Sequence, residues 1–403
     1  MNPFHPAPGA LPERIVGREP ELSAMREAVR RAMAGSPPSP LVVIGQRGMG
    51  KTVLLRELRE LGGAATLAVP LEVVSGQPLA ETLREKLVRL TESVESLPIR
   101  VGRAFDAAVH AIPKVSYELP HHAGAIALSG AGDERSKPED RTLAAMLGAL
   151  TDAARAAKRY VTITVDEMQD ADAGAMQTLV RFVHESAQGD APVLLACAGL
   201  SETYALLERL RTYVQRWPTF ELRLLTPSET IEAIREPIVA ARAHIDENAL
   251  DELASESAGY PYFIQAYGSA AWEAHHGKRV TLADVRASLS GVRARNEASF
   301  YVRPLAKLTP REMAFAIALA ELGDGSHEMR AVAGALGVTA PDLSSTRASL
   351  VRKSIAAVPI PGRIEFRIPF TDRYLCAHRG EYETADVRAY RAGLARRSAK
   401  PRA

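Results

Sequence analysis

The stretch Leu41-Val42-Val43-Ile44-Gly45-Gln46-Arg47-Gly48-Met49-Gly50-Lys51-Thr52-Val53-Leu54 decides the fold. Its four opening apolar residues predict a short buried strand. Gly45 to Thr52 matches G-x-x-x-x-G-K-[ST] at every fixed position, and Val53 to Leu58 predicts a helix directly after it. Strand, glycine-rich loop and helix in that order are the context in which this motif holds phosphate. The candidate phosphate-binding residues are therefore Gly45, Gln46, Arg47, Gly48, Met49, Gly50, Lys51, Thr52 and Val53. Glycines let the backbone curl and aim its N–H groups at phosphate oxygens. Lys51 can reach the β- and γ-phosphates of ATP, and Thr52 can ligate Mg²⁺. The new helix adds its positive end to the same place. A glycine-rich turn with a chance lysine is the alternative, and the agreement of motif and context disfavours it.

Further along, Tyr160-Val161-Thr162-Ile163-Thr164-Val165-Asp166-Glu167 is a β-branched run that ends in two carboxylates. It predicts a strand that delivers acids to the carboxyl edge of a sheet, where ligands bind in open α/β folds. Asp166 is the candidate for the Mg²⁺ shell. Glu167 is the candidate for orienting or deprotonating the attacking water, with Lys51 on the transferred group. Taken alone, the same pattern would read as a strand end with solvated acids.

Composition narrows the class. A chain of 403 residues with 46% hydrophobic and 24% charged residues predicts a globular protein of two or three domains. Its two cysteines, Cys197 and Cys376, lie far apart and form no metal-binding spacing. That argues against a disulfide scaffold and fits a reducing, cytoplasmic setting. The proline-rich opening lacks the basic and apolar regions of a signal peptide. No apolar run approaches the roughly 20 residues needed to cross a membrane, so no membrane association is expected. The net charge of +2 implies no nucleic acid by itself. Residues 341–403, however, carry 13 Lys and Arg against 6 Asp and Glu.

Residues 1–14 read as a flexible tail. Strands alternate with helices over residues 15–225, which predicts a P-loop α/β core with a mainly parallel sheet. Within it, a second strand is expected over Ala65 to Val74 with Pro70 interrupting it. Fourth and fifth strands are expected over Val193 to Ala198 and Phe220 to Leu225. Residues 100–139 read as an elaboration, and the pair His121-His122 there reads as solvated rather than metal-bound. Residues 226–295 are helical only and predict a lid, with Thr226 or Ser228 capping its first helix. Residues 300–380 predict three helices and a two-stranded wing, a winged helix-turn-helix pattern. Residues 381–403 form a basic, alanine-rich tail.

Val16-Gly17-Arg18-Glu19, the phosphate loop, Val165-Asp166-Glu167 and the winged unit together resemble an AAA+ ATPase of the origin-recognition-like group, which is related to archaeal initiators and STAND ATPases. The resemblance implies a five-stranded core, a helical lid and nucleotide held between them. It places Val16, Gly17 and Arg18 near the adenine. It also implies an arginine supplied in trans by a neighbour in a homo-oligomer, for which Arg216 fits best and Arg211 second. Two departures stand out. Ala196-Cys197-Ala198-Gly199-Leu200 offers no asparagine at the end of the fourth strand, and Ser201 comes late. Gly259-Tyr260-Pro261-Tyr262-Phe263-Ile264-Gln265 lacks the arginine that opens the lid helix of initiators. Both departures look like the STAND-type relatives and imply slow hydrolysis.

Three functions follow from this reading. The first is an ATP-controlled switch that hydrolyses ATP and binds double-stranded DNA through Arg347, Arg352, Lys353 and Arg363 of the winged unit. The second is a signalling switch whose winged unit contacts protein. The third, a kinase or transferase using the same loop, fits the Asp-Glu pair less well, because that pair favours water as acceptor.

Overall fold

In a computed structural model, Leu41–Ile44 forms strand β1, and all four residues are buried. The structure describes residues 2–93, 138–187, 193–200, 203–210 and 214–398. The elaboration around residues 100–139, with His121 and His122, falls largely outside them, as do Ser201 and Arg211.

Contacts divide the chain into two units. One holds Glu19–Ile44 and Lys51–Glu221. Helix α1 (Glu19–Met33) precedes β1, and α2 (Lys51–Gly62) follows the loop. Then come β2 (Thr66–Glu72), α3 (Leu79–Ser93), α4 (Pro138–Ala156), β3 (Tyr160–Asp166), α5 (Ala173–Ser186), β4 (Val193–Gly199), α6 (Thr203–Arg209) and β5 (Thr219–Glu221). The five strands form a parallel sheet in the order β2-β3-β4-β1-β5. Internal strands β1 and β4 are apolar runs, and β3, although it alternates with Thr162 and Thr164, is buried from Tyr160 to Val165, as a sheet covered on both faces requires. The core includes Leu67, Leu83, Leu147, Ile163, Leu179 and Leu195. Pro70 does not interrupt β2, whose pairing with β3 runs unbroken from Thr66 to Glu72. An edge strand has one unpaired side and accommodates the missing donor. Strand β5 stops at Glu221, short of the expected Leu225. Cys197 is buried and Cys376 exposed, both as free thiols.

The other unit holds Met1–Arg18, Gly45–Gly50 and Leu222–Ala403. Its helices α7 (Pro227–Ala240), α8 (Glu247–Ser257), α9 (Pro261–Ala274) and α10 (Leu282–Glu297) are joined by a small two-stranded sheet of β6 (His244–Ile245) and β7 (Arg279–Val280). Thr226, not Ser228, caps α7 through a capping box with Glu229. Arg223 donates to both oxygens of that carboxylate at 2.6 Å and holds its pKa down to about 2.

Residues 2–14, expected as a flexible tail, are pinned along this unit. The Asn2 side chain donates to Ser269 Oγ at 2.9 Å, and Phe4 is buried over Gly268. Arg14 pairs with Glu232 and Glu236. A buried aromatic ring supplies the stabilisation that a polar tail lacks.

The C-terminal part contains α11 (Pro310–Ala320), β8 (His327–Glu328), α12 (Met329–Ala335), α13 (Ser344–Arg352), β9 (Ala356–Ala357), β10 (Arg363–Phe366), α14 (Thr371–Ala377) and α15 (Ala385–Ser398). The wing has three antiparallel strands, β8-β10-β9, rather than two. The basic tail is largely helix α15, which packs on α11 and buries Val387 and Leu394. Its Arg391 pairs with Glu321 and Glu383. Among the described residues no helix is long and apolar enough to cross a membrane.

Candidate functional site

The loop Gly45–Gly50 runs from β1 into α2, with Gly48 at φ +75° and Gly50 at φ +94°. A side chain at Gly48 would stand 2.2 Å from the Tyr260 hydroxyl. Glycine there allows both the left-handed turn and this close approach. The Tyr260 hydroxyl donates to the Arg47 carbonyl at 2.5 Å, and burial of Tyr260 pushes its pKa well above the ordinary tyrosine value. Tyr260, the residue just before α9, thereby contacts the loop. Gln46 donates to the Phe366 carbonyl at 3.1 Å. Arg18, 4% exposed, donates to the carbonyls of Arg223 and Met49. Gly17 lies against Leu225 and Glu229, and Val16 is buried. The structure thus gathers Val16, Gly17 and Arg18 with the loop.

Lys51 opens α2 and is 6% exposed. Next to it, exposed Thr52 donates through its hydroxyl to Asp166 Oδ2 at 2.6 Å. Asp166 ends β3 at the carboxyl edge of the sheet, and its Oδ1 accepts from the Glu167 N–H at 3.0 Å. Glu167 then turns the chain in the left-handed region, at φ 55° and ψ 41°. For a residue other than glycine this strain costs roughly 1–3 kcal/mol and is typical of functional sites. Val53, the next residue of α2, is half-buried. Thr52 and Asp166 offer hard oxygen donors that suit Mg²⁺, which takes few protein ligands and completes its shell with phosphate and water. Among the described residues no cluster of three or more His, Cys, Asp or Glu able to hold a metal occurs.

Gln169 is a residue that the sequence reading missed. Its amide nitrogen donates to Glu167 Oε2 at 2.7 Å, while its amide oxygen accepts from the Leu200 N–H at 2.9 Å, just past β4. The only sequence signal is its place two residues after the acids.

Arg216 is exposed, in a 3-10 turn just before β5. It borders a cleft of about 310 Å³ with Pro37, Pro40, Val193 and Trp217. Pro40, Val193 and Trp217 lie at or just before the amino ends of β1, β4 and β5. Asp166 leaves by the opposite edge of the sheet, a strand length of roughly 13–23 Å away. Arg216 therefore cannot reach Asp166 within its own chain.

Two of the four arginines and lysines expected to meet DNA are occupied. The Lys353 ammonium donates to Glu312 Oε2 at 2.7 Å and to the Lys307 carbonyl at 2.8 Å. Arg363 donates to the Ser326 hydroxyl at 3.0 Å and to the Ser326 carbonyl. For Lys353 the reason lies in Glu312. This buried residue closes the capping box of α11 with Thr309, and a buried carboxylate needs a cation. Arg352 is exposed at the end of α13, and Arg347 is half-buried.

Burial opposes the Glu312 charge, but hydrogen bonds from Lys353, Ser349 and Thr309 outweigh it and hold the pKa to about 2. Because the folded value is depressed, this contribution is fully present above the unfolded value. It is lost as pH falls from about 4.5 towards 2. Lys353→Ala should lower stability by about 2 kcal/mol at neutral pH, with a smaller deficit near pH 3. Urea denaturation at both values checks this; an equal deficit at both pH values contradicts the assignment.

The phosphate loop between β1 and α2, with Asp166 on the sheet's carboxyl edge, defines a P-loop nucleotide-binding fold. Residues 14–196 match the AAA ATPase domain family, and this part of the chain is an AAA ATPase domain. Residues 298–375 match a domain of unknown function, DUF8462. The structure is similar to the Walker-type ATPase paby2304 of Pyrococcus abyssi, at TM-score 0.55 and 14% identity over 91% of this chain and 97% of that one. It also matches Cdc6p from Pyrobaculum aerophilum at TM-score 0.47 and 15% identity over 98% of each chain. The RuvB Holliday junction branch migration motor of Thermotoga maritima matches at TM-score 0.43 and 15% identity, over 90% of this chain and 95% of that one. No curated protein matches the sequence.

Proposed function

We propose that the chain is a Mg²⁺-dependent ATP hydrolase that works as a slow nucleotide switch. One observation carries the reading: the Thr52 hydroxyl stands 2.6 Å from Asp166, with Glu167 next in the chain. Lys51 and the loop N–H groups bind the phosphates, and Thr52 and Asp166 hold the metal. Bound Mg²⁺ would supply charge neutralisation for the transferred phosphoryl group. Glu167 orients the attacking water and accepts its proton. The missing asparagine after β4 and the missing arginine at the start of α9 support slow turnover. Arg216, on the far edge of the sheet, would serve a neighbouring copy and stabilise charge there in trans.

The winged unit carries the output. Duplex DNA is the first partner, met by Arg347 and Arg352 of α13. Internal use of Lys353 and Arg363 favours a second reading, in which this unit docks a protein. ATPase rate and particle mass, measured with and without duplex DNA, separate the two. A DNA switch should bind duplex at low salt, lose affinity steeply as salt rises, and change its turnover. Absence of duplex binding at low salt removes DNA and leaves the protein reading.

A further inference from the structure

We propose that Gln169 is a positioning residue for hydrolysis, a strut from the end of β4 that fixes the carboxylate of Glu167. The inference rests on the hydrolytic reading above and deepens it.

The left-handed backbone at Glu167 sets where its side chain starts but not where its carboxylate ends. A glutamate side chain loses about 1.5–2 kcal/mol of rotamer entropy when held in place, so something must hold it. Gln169 does so, donating to Oε2 at 2.7 Å. The orientation of its amide is dictated by the network. The backbone N–H of Leu200 can only donate, so the amide oxygen must face it, at 2.9 Å. The NH₂ group is then left for carboxylates, and its second contact is Asp170 Oδ2 at 3.1 Å. A strut bonded at both ends cannot rotate without breaking a bond at one of them.

The end of β4 is shaped to receive it. A side chain at Gly199 would stand 3.0 Å from the Gln169 amide oxygen and 2.0 Å from Thr203 Oγ1. Glycine leaves that space open. The main chain just past β4 is thereby linked to Glu167, although the glutamine and Leu200 are 31 residues apart.

Geometry of this kind matters because a general base displaced by about 1 Å can lose roughly 100-fold in rate. The test compares kcat for ATP, Kd for ATP and thermal stability in Gln169→Leu, Gln169→Glu, Glu167→Gln and the double variant Gln169→Leu/Glu167→Gln. Gln169→Glu keeps an acceptor for Leu200 but places a carboxylate against Glu167, so it tests the donor apart from the fold. Both Gln169 variants should lose about 10- to 100-fold in kcat with Kd unchanged. The double variant should be no slower than Glu167→Gln, because the strut acts only through that residue. Unchanged or raised kcat in both Gln169 variants overturns the proposal. So does a loss of binding in step with kcat, or additive losses in the double variant. The underlying reading fails separately: Glu167→Gln would then turn over ATP at the normal rate, and the strut would have nothing to position.

Discussion

Lys51→Ala is expected to weaken ATP binding by about 100-fold or more and to reduce turnover to background. Lys51 is 6% exposed at the first residue of α2. An ammonium at the positive end of a helix, beside the loop N–H groups, is placed to attract an anion. A triphosphate supplies that anion and draws charge-assisted hydrogen bonds from the ammonium and the loop N–H groups together. Alanine removes the charge and leaves the helix start intact, so the fold should survive. Calorimetric titration with Mg-ATP measures the effect. Normal affinity in this variant would falsify the assignment of the loop.

Glu167→Gln should behave in the opposite sense. Binding persists and turnover falls by about 10²- to 10⁴-fold, the usual contribution of a positioned base. The amide retains an oxygen that can accept from Gln169, so the local geometry is kept while the proton acceptor is lost. Thr52, Asp166 and the loop are untouched, so Kd for ATP stays near the wild-type value. Stoichiometric ATP trapped by the variant, with little phosphate released over the same interval, is the result to look for. Hydrolysis at the wild-type rate would remove Glu167 from its role and point to another base. Together the two variants separate holding nucleotide from cleaving it.

Much of the core was legible because its signals are local. The apolar run Leu41–Ile44 became a buried parallel strand, since a sheet covered on both faces favours apolar residues at successive positions, and the β-branched run Tyr160–Asp166 became another. Thr309-Pro310-Arg311-Glu312 opens α11 with proline at its first position, and the structure adds a capping box between Thr309 and Glu312. Pro70 misled, because a proline at an edge strand reads in sequence like one that breaks a central strand. The third wing strand went unseen because it spans only His327–Glu328, too short for a period to appear.

The candidate site divides along the same line. Lys51, Thr52, Asp166 and Glu167 follow from motif spacing and from the strand that ends in acids, and both are properties of short contiguous stretches. The union of Thr52 with Asp166 spans 114 positions and depends on β1 and β3 lying in one sheet. Partners at such separations are set by packing, which the sequence does not print. Lys353 shows it most plainly. In sequence it is a cation at a helix end, available to a phosphate, and in the fold it answers the buried charge of Glu312, 41 residues away. The sequence by itself determined the candidate nucleotide site, because the pattern for phosphate binding is a local run of glycines, a lysine and a hydroxyl. Only the tertiary structure decided which polar groups are free to act, because each buried charge or amide must find its partner before any ligand arrives.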